Sequence, residues 1–190
     1  MKKNSVHQLT LSALLIALAV IIPMVMPRIV IGPASFTLAS HVPLFIAMFF
    51  SPQMAIAVAL GTFAGFLMTS PFIIAMRALS HIVFAVIGSL YLQKNPRIVD
   101  DNKKFQLYNF VIAVIHSAIE MLVVAAFYLI GGSTQVSYDG NMLVFLFGFM
   151  GLGGLVHSLV DYNLAFFVVK PLSKSFEIPV FKKAKSLFAK

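Results

Sequence analysis

The stretch Ser70–Tyr91, SPFIIAMRALSHIVFAVIGSLY, has the length and apolarity of a membrane-spanning helix, yet it carries Arg77 and His81 in its interior. About twenty residues at a 1.5 Å rise cross a ~30 Å hydrocarbon core. Residues four apart stack on one face of a helix, so Arg77 and His81 point the same way. A charged side chain at the centre of a bilayer costs at least about 2.5–3.5 kcal/mol even on the lenient insertion scale. A fold that keeps one there must give it a buried partner or a ligand, and every neighbouring segment has to be consistent with that.

The other segments share this environment. Of 190 residues, 60% are hydrophobic and only 11% are charged, and the mean hydropathy is +0.97. Soluble domains carry roughly 25% charged residues, so the chain is read as an integral membrane protein, one domain over residues 1–190. It has no cysteine, which removes disulfides, thiolate metal sites and cysteine nucleophiles. The net charge of +8 does not point to nucleic acid, because the basic residues fill the gaps between apolar runs. Lys2 and Lys3 precede the first run. Lys94, Arg97, Lys103 and Lys104 share one connection, and Lys170, Lys174, Lys182, Lys183, Lys185 and Lys190 follow the last run. That is the positive-inside distribution of a multi-pass protein with both termini cytoplasmic. No nucleic-acid partner is expected. The first run lacks a small-residue cleavage site and is read as a retained helix.

Taken in order, the runs give an all-α bundle of six transmembrane helices. His7–Met26 is the first span, with Ala13-x-x-x-Ala17 as a small-residue face that a second helix can approach closely. Pro27–Ser40 is a long, fairly apolar outer connection containing Arg28, read as a candidate lid folded back over the bundle. His41–Phe50 is short: it either spans while tilted or is half a span. Met54–Met68 is dense in Ala and Gly and is expected to pack tightly against neighbours. Thr69-Ser70-Pro71 makes an outer turn into the Arg77 helix, and Gln93–Gln106 is a polar cytoplasmic loop. Leu107–Ile130 is the fifth span, Gly131–Asn141 a polar outer loop, and Met142–Val169 the sixth span. The basic tail, with Phe176, Val180, Phe181, Leu187 and Phe188, is expected to lie along the cytoplasmic membrane surface. No phosphate-binding Gly-rich loop is present.

Two further polar pairs fall at helical i, i+4 spacing: His116 with Glu120, and His157 with Asp161. Counting about 1.5 Å per residue from each outer helix end, Arg77 lies roughly 7 Å deep, His81 about 13 Å and Glu120 about 15 Å. His116 and His157 lie at about 21–22 Å, and Asp161 near 28 Å is read as a partner on the cytoplasmic side. Glu120 can neutralise Arg77 directly and His157 can pair with Asp161, as structural ties; or the three helices share a pocket, with His41 at its outer edge. A metal site is weighed and not expected: His81, His116, Glu120 and His157 are suitable ligand types, but no His-x-x-x-His or Glu-x-x-His motif occurs, and Arg77 would repel a cation. No intramembrane protease signature is seen, so no enzyme activity is expected.

With its size, its six spans, its Ala13-x-x-x-Ala17 face and its long first outer loop, the chain resembles the substrate-binding S components of energy-coupling factor (ECF) vitamin transporters. The segments PASFTLASHVPLFIAMFFSP (Pro33–Pro52) and RALSHIVFAVIG (Arg77–Gly88) look most like the niacin-specific members. Pyridoxine, cobalamin and precursor carriers share the same outline. The resemblance implies a bacterial cell-membrane protein that binds a water-soluble vitamin from outside and carries no cofactor. It implies docking through Ala13 and Ala17 on a transmembrane coupling subunit, with ATP hydrolysed by two ATP-binding partner subunits. Nicotinic acid fits the residues: Arg77 can take its carboxylate bidentately, His81 or His116 can hydrogen-bond the ring nitrogen, and Phe72 or Tyr128 can stack on the ring. Glu120, His157 and His41 complete the candidate set. The alternative is a self-sufficient secondary transporter of a small anionic or metal solute, which needs a polar path through the whole membrane.

Overall fold

A computed structural model describes residues 2–31, 34–130 and 140–187, the side chains of residues 2–5 excepted. Among the described residues, five helices are long and apolar enough to cross a membrane. They are α1 (Lys2–Val25), α3 (Pro52–Thr69), α4 (Phe72–Lys94), α5 (Asn102–Leu129) and the continuous helix formed by Val144–Gly153 and α6 (Gly154–Leu172). The short helices α2 (Val42–Phe50) and α7 (Pro179–Ser186) complete the set. The part of the outer loop Gly131–Asn141 that precedes Gly140 lies outside the described residues.

The helix boundaries follow from local chemistry. Ser51 caps α3 by accepting a hydrogen bond from the Met54 N–H at 3.1 Å, with Pro52 in the first turn. Asp101 caps α5 by accepting from the N–H groups of Lys103 and Lys104. Because α4 runs to Lys94 and α5 starts at Asn102, the connection read as Gln93–Gln106 shrinks to a turn built on a 3-10 segment, Pro96–Asp100. Helices continue past the hydrocarbon boundary wherever a cap permits.

Three features depart from a plain helix bundle. The first is a β-hairpin, β1 (Arg28–Ile31) paired antiparallel with β2 (Ala34–Thr37), inside the loop read as a lid. The second is α2. Nine residues reach only about 14 Å, under half the hydrocarbon thickness, so the half-span reading holds. Yet α2 is central, touching α1, α3, α4 and α6, with Leu44, Phe45, Ala47, Met48 and Phe49 buried. The third is the π-helical segment Val144–Gly153, where Gly148, Gly151 and Gly153 concentrate. A π turn leaves carbonyls displaced from the regular ladder, and the Ser117 hydroxyl on α5 donates to the Gly151 carbonyl at 2.6 Å.

The small residues of α3 act as expected. A Cβ on Gly61 would lie 2.6 Å from the Ile16 side chain, and one on Gly65 would collide with Val20. Ile16 and Val20 of α1 thus sit in the notches that Gly61-x-x-x-Gly65 leaves, and α1 runs parallel to α3. Leu15 and Ala19 are buried in the same packing, whereas Ala13 and Ala17 are exposed.

The tail behaves differently from its expected surface position. Val180, Phe181 and Ala184 of α7 are buried, packed on α2 and the 3-10 turn, with Phe181 against Phe49 and Phe166. The apolar face of the amphipathic helix finds the open end of the bundle, where aromatic rings are already assembled, instead of lipid. Phe176 and Leu187 stay exposed, and Phe188 lies outside the described residues.

Gly65→Leu forces a branched side chain onto Val20 and is expected to lower stability by about 1–3 kcal/mol. A far-UV circular dichroism melt of the detergent-solubilised protein reads this; an unchanged melt would show that the α1–α3 seam is not tight.

Candidate functional site

The hairpin brings the chain down into the bundle, and what receives it is Asp161. The Ala39 N–H donates to Asp161 Oδ1 at 2.8 Å and the His41 N–H to Oδ2 at 2.9 Å. Unsatisfied backbone groups in hydrocarbon cost several kcal/mol each, so non-helical chain survives at membrane depth only where protein groups answer it. Asp161 is wholly buried. This corrects the reading of Asp161 as a partner on the cytoplasmic side. The depth count treated one helix alone, and the turn after the hairpin carries Ala39 and His41 down to the carboxylate. Ala39 takes a positive φ of 66° to make this turn, a conformation costing a non-glycine residue about 1–2 kcal/mol.

Next to this anchor four histidine rings gather. His41 lies 4.8 Å from His81, 4.7 Å from His116 and 4.9 Å from His157, between ring centroids. Four elements supply them: the start of α2, α4, α5 and α6. His41 Nδ1 is 3.0 Å from His157 Nε2, and Ser40 Oγ is 3.1 Å from the same His157 nitrogen.

On the α4–α5 side, Arg77 and Glu120 form a buried two-point pair. Nε donates to Oε1 at 3.2 Å and Nη2 to Oε2 at 3.0 Å. His81 Nε2 adds a third contact to Oε1 at 2.9 Å. Arg77, His81 and Glu120 are each less than a tenth exposed. Gly154 packs beside this pair, 3.9 Å separating Glu120 Oε2 from where its Cβ would stand. Both ring nitrogens of His116 are buried without a hydrogen bond among the described residues, although Nε2 lies 3.6 Å from Glu120 Oε1. A buried unpaired polar atom costs about 1–3 kcal/mol, and the approach of Nε2 to Glu120 offsets part of that cost.

A cavity of about 480 Å³ opens onto this cluster. Arg77, His81, His41, Ser40 and Glu120 form its polar floor, Thr62, Phe66 and Ile74 part of its wall, and Arg28, Val30, Ser35 and Thr37 of the hairpin its cover. Ligand sites fall in this size range and combine apolar walls with a few convergent polar groups. Of the residues singled out from sequence, Arg77, His81, Glu120 and His41 meet at the cavity, and His116 and His157 stand against them. Tyr128 lies apart, packed on Phe145, and Phe72 is exposed beside Phe127; neither lines the cavity. Ser40, Thr62, Phe66 and Arg28 were not among the sequence candidates. Ser40 had a signal in its adjacency to His41, whereas Phe66 had none beyond being an aromatic in an Ala/Gly-rich helix.

Towards α7 the cavity is closed by aromatic packing. Phe45 stacks on Tyr162 at 4.1 Å, Phe84 lies 4.6 Å from His116, and the Tyr108 and Tyr162 hydroxyls share a hydrogen bond of 2.8 Å. Phe49 and Phe105 extend the plug, and all of these rings are buried.

Over its whole length the chain is 47% identical to the niacin transporter NiaX of Lactococcus lactis subsp. cremoris (strain MG1363), matching 85% of that protein. No family model matches the chain, and no solved structure does.

Ala39→Val places a β-branched residue at positive φ and is expected to lower stability by about 1–3 kcal/mol, while Ala39→Gly stays near wild type. Equal melts for both variants would show that the turn relaxes out of its left-handed conformation.

Proposed function

The chain belongs to the family of the niacin transporter NiaX, and from that premise we propose that it is the niacin-binding S component of an ECF-type importer in the bacterial cell membrane. The observation that carries the substrate assignment is the buried Arg77 facing a cavity of about 480 Å³. Nicotinic acid is a small planar ring with one carboxylate, and a guanidinium is the side chain suited to grip a carboxylate at two points. The carboxylate shares or takes over the grip that Glu120 holds on Arg77. Of the two histidines expected to hydrogen-bond the ring nitrogen, His81 lines the cavity and takes that role, with His116 wholly buried behind it. The stacking role expected of Phe72 or Tyr128 passes to Phe66, the aromatic that lines the cavity.

The hairpin serves as the cover, and its entry faces the outside. The hairpin and α2 together make one crossing, so the chain traverses the membrane six times with both termini cytoplasmic. The parallel course of α1 and α3 and the packing of α7 on the α4–α5 turn support this topology. The aromatic plug beneath the histidines favours a specificity subunit over a self-sufficient transporter, because among the described residues packed rings close the cavity at Phe45, Tyr108 and Tyr162. Release then requires a coupling subunit and two ATP-binding subunits to reorient the whole chain. The exposed Ala13 and Ala17 offer that coupling subunit a surface of small residues.

Two outcomes are expected. Arg77→Ala should weaken nicotinate binding by about 2 kcal/mol or more, and nicotinamide should bind more weakly than nicotinate to the unaltered chain. Calorimetric titration measures both, and unchanged nicotinate affinity in Arg77→Ala would remove the carboxylate role. Ala17→Trp should leave nicotinate binding intact while abolishing copurification with the energising subunits; retained copurification would move the docking surface elsewhere.

A further inference from the structure

Four side-chain atoms from two segments crowd around one point beside the cavity. Taking His41 Nδ1, His157 Nε2, Asp161 Oδ2 and Ser40 Oγ, the separations are 3.0 Å between the histidines, 3.3 Å and 3.5 Å from His41 and His157 to Asp161, and 3.2 Å and 3.1 Å from Ser40 to His41 and His157. Two-centre hydrogen bonds account for only part of this set. The carboxylate is acceptor-only when ionised and each of the other three atoms carries at most one proton, so no more than three protons serve five contacts. Four ligand atoms held about 2.0–2.1 Å from a tetrahedral metal ion stand about 3.3 Å apart, and five of the six edges here, at 3.0–3.5 Å, bracket that spacing.

Charge points the same way. Asp161 is wholly buried, and among the described residues no Lys or Arg lies within ion-pair distance of it. Two backbone N–H groups and two imidazoles face the carboxylate from the turn and from α6. The second cluster of possible ligands, His41, His81, His116 and Glu120, is a poorer host. Its carboxylate is already bound 3.0 Å from the Arg77 guanidinium, and a dication there would face that fixed cation.

We propose that His41, His157 and Asp161, with Ser40 at the fourth corner, bind one divalent first-row transition cation of the zinc type. Two imidazoles and a carboxylate in tetrahedral array are a donor set that suits zinc. The ion joins the re-entrant turn to α6, at the point where Ala39 and His41 already rest on Asp161. Ser40 and His41 line the cavity, so the ion enters by that route. The absence of a close histidine motif, which argued against a metal from sequence, has no bearing on a site assembled by a re-entrant turn.

The test is a zinc titration of the full chain in detergent, carrying a histidine-free tag and freed of metal by chelator, with no nicotinate present. One equivalent of Zn²⁺ is expected to bind and to raise the melting temperature. His157→Ala and Asp161→Asn should each weaken zinc binding at least about tenfold, while His81→Ala retains it. Ser40→Cys, a nearly isosteric change that spares the fold, should tighten zinc and give Co²⁺ a sulfur-to-metal absorption band. The proposal is overturned if the unaltered chain takes up no more zinc than the His157→Ala/Asp161→Asn double variant, if His81→Ala loses zinc where His157→Ala does not, or if Ser40→Cys shows no such band. Nicotinate binding measured separately on the same preparation distinguishes a failure of this site from a failure of the transport reading.

Discussion

The constraint on which this structure turns is that irregular backbone cannot face hydrocarbon with its polar groups unanswered. Between α1 and α2 the chain leaves helical geometry and descends into the bundle. Its strands answer each other through the β1–β2 pairing, and its deepest peptide groups, Ala39 and His41, rest on the Asp161 carboxylate. One side chain on α6 therefore licenses the re-entrant turn. The same contact sets where α2 begins, which residue of the turn faces the cavity, and how His41 comes to stand among three other histidines.

Much of the remaining architecture follows from that placement. A helix starting within the bundle needs only the nine residues Val42–Phe50 to reach the far end. Because α2 is surrounded on several sides, it can be almost uniformly apolar, and its Phe45 and Phe49 join Tyr162, Phe105 and Phe166 in a packed aromatic base. The space above α2 that a full-length helix would have filled is the cavity. The Gly-rich π-helical segment serves the same end. Gly153 lets Phe36 of the hairpin approach to 3.0 Å of where a Cβ would stand.

The long helices were legible because hydropathy over some twenty residues is a cumulative signal, and the Gly61–Gly65 notch because small residues at that spacing have a single physical use. Arg77 and Glu120 were legible as partners because two charges in apolar helices must find each other. The hairpin was not: its strands are four residues each and carry no alternation that distinguishes them from an apolar loop. Asp161 was set apart from the site because a depth count along one helix cannot see a re-entrant turn that reaches down to it. Tyr128 looked suitable by chemistry and depth, but its direction around α5 depends on packing against Phe145 that sequence does not encode locally. The tail's amphipathic pattern identified an apolar face but assigned it to the membrane surface; the aromatic base of the bundle buries it instead.

A charge count ties the two proposed ligands together. With the imidazoles counted neutral, Arg77 and Glu120 cancel, and Asp161 leaves the site with one net negative charge among its buried groups. Nicotinate would add a second negative charge in a region where Coulomb interactions are far stronger than in water. A dication held by His41, His157 and Asp161 turns that repulsion into attraction: the ion, Asp161 and one nicotinate sum to zero. Each ligand then lowers the free energy of binding the other, and linkage requires the effect to be equal in both directions. Nicotinamide, lacking the charge, would gain nothing from the ion. On this reading selectivity for the acid does not reside in Arg77 alone, whose charge Glu120 already answers. It arises also from the charge that the cation would add beneath the cavity, beyond that of Arg77 and of Arg28 in the cover.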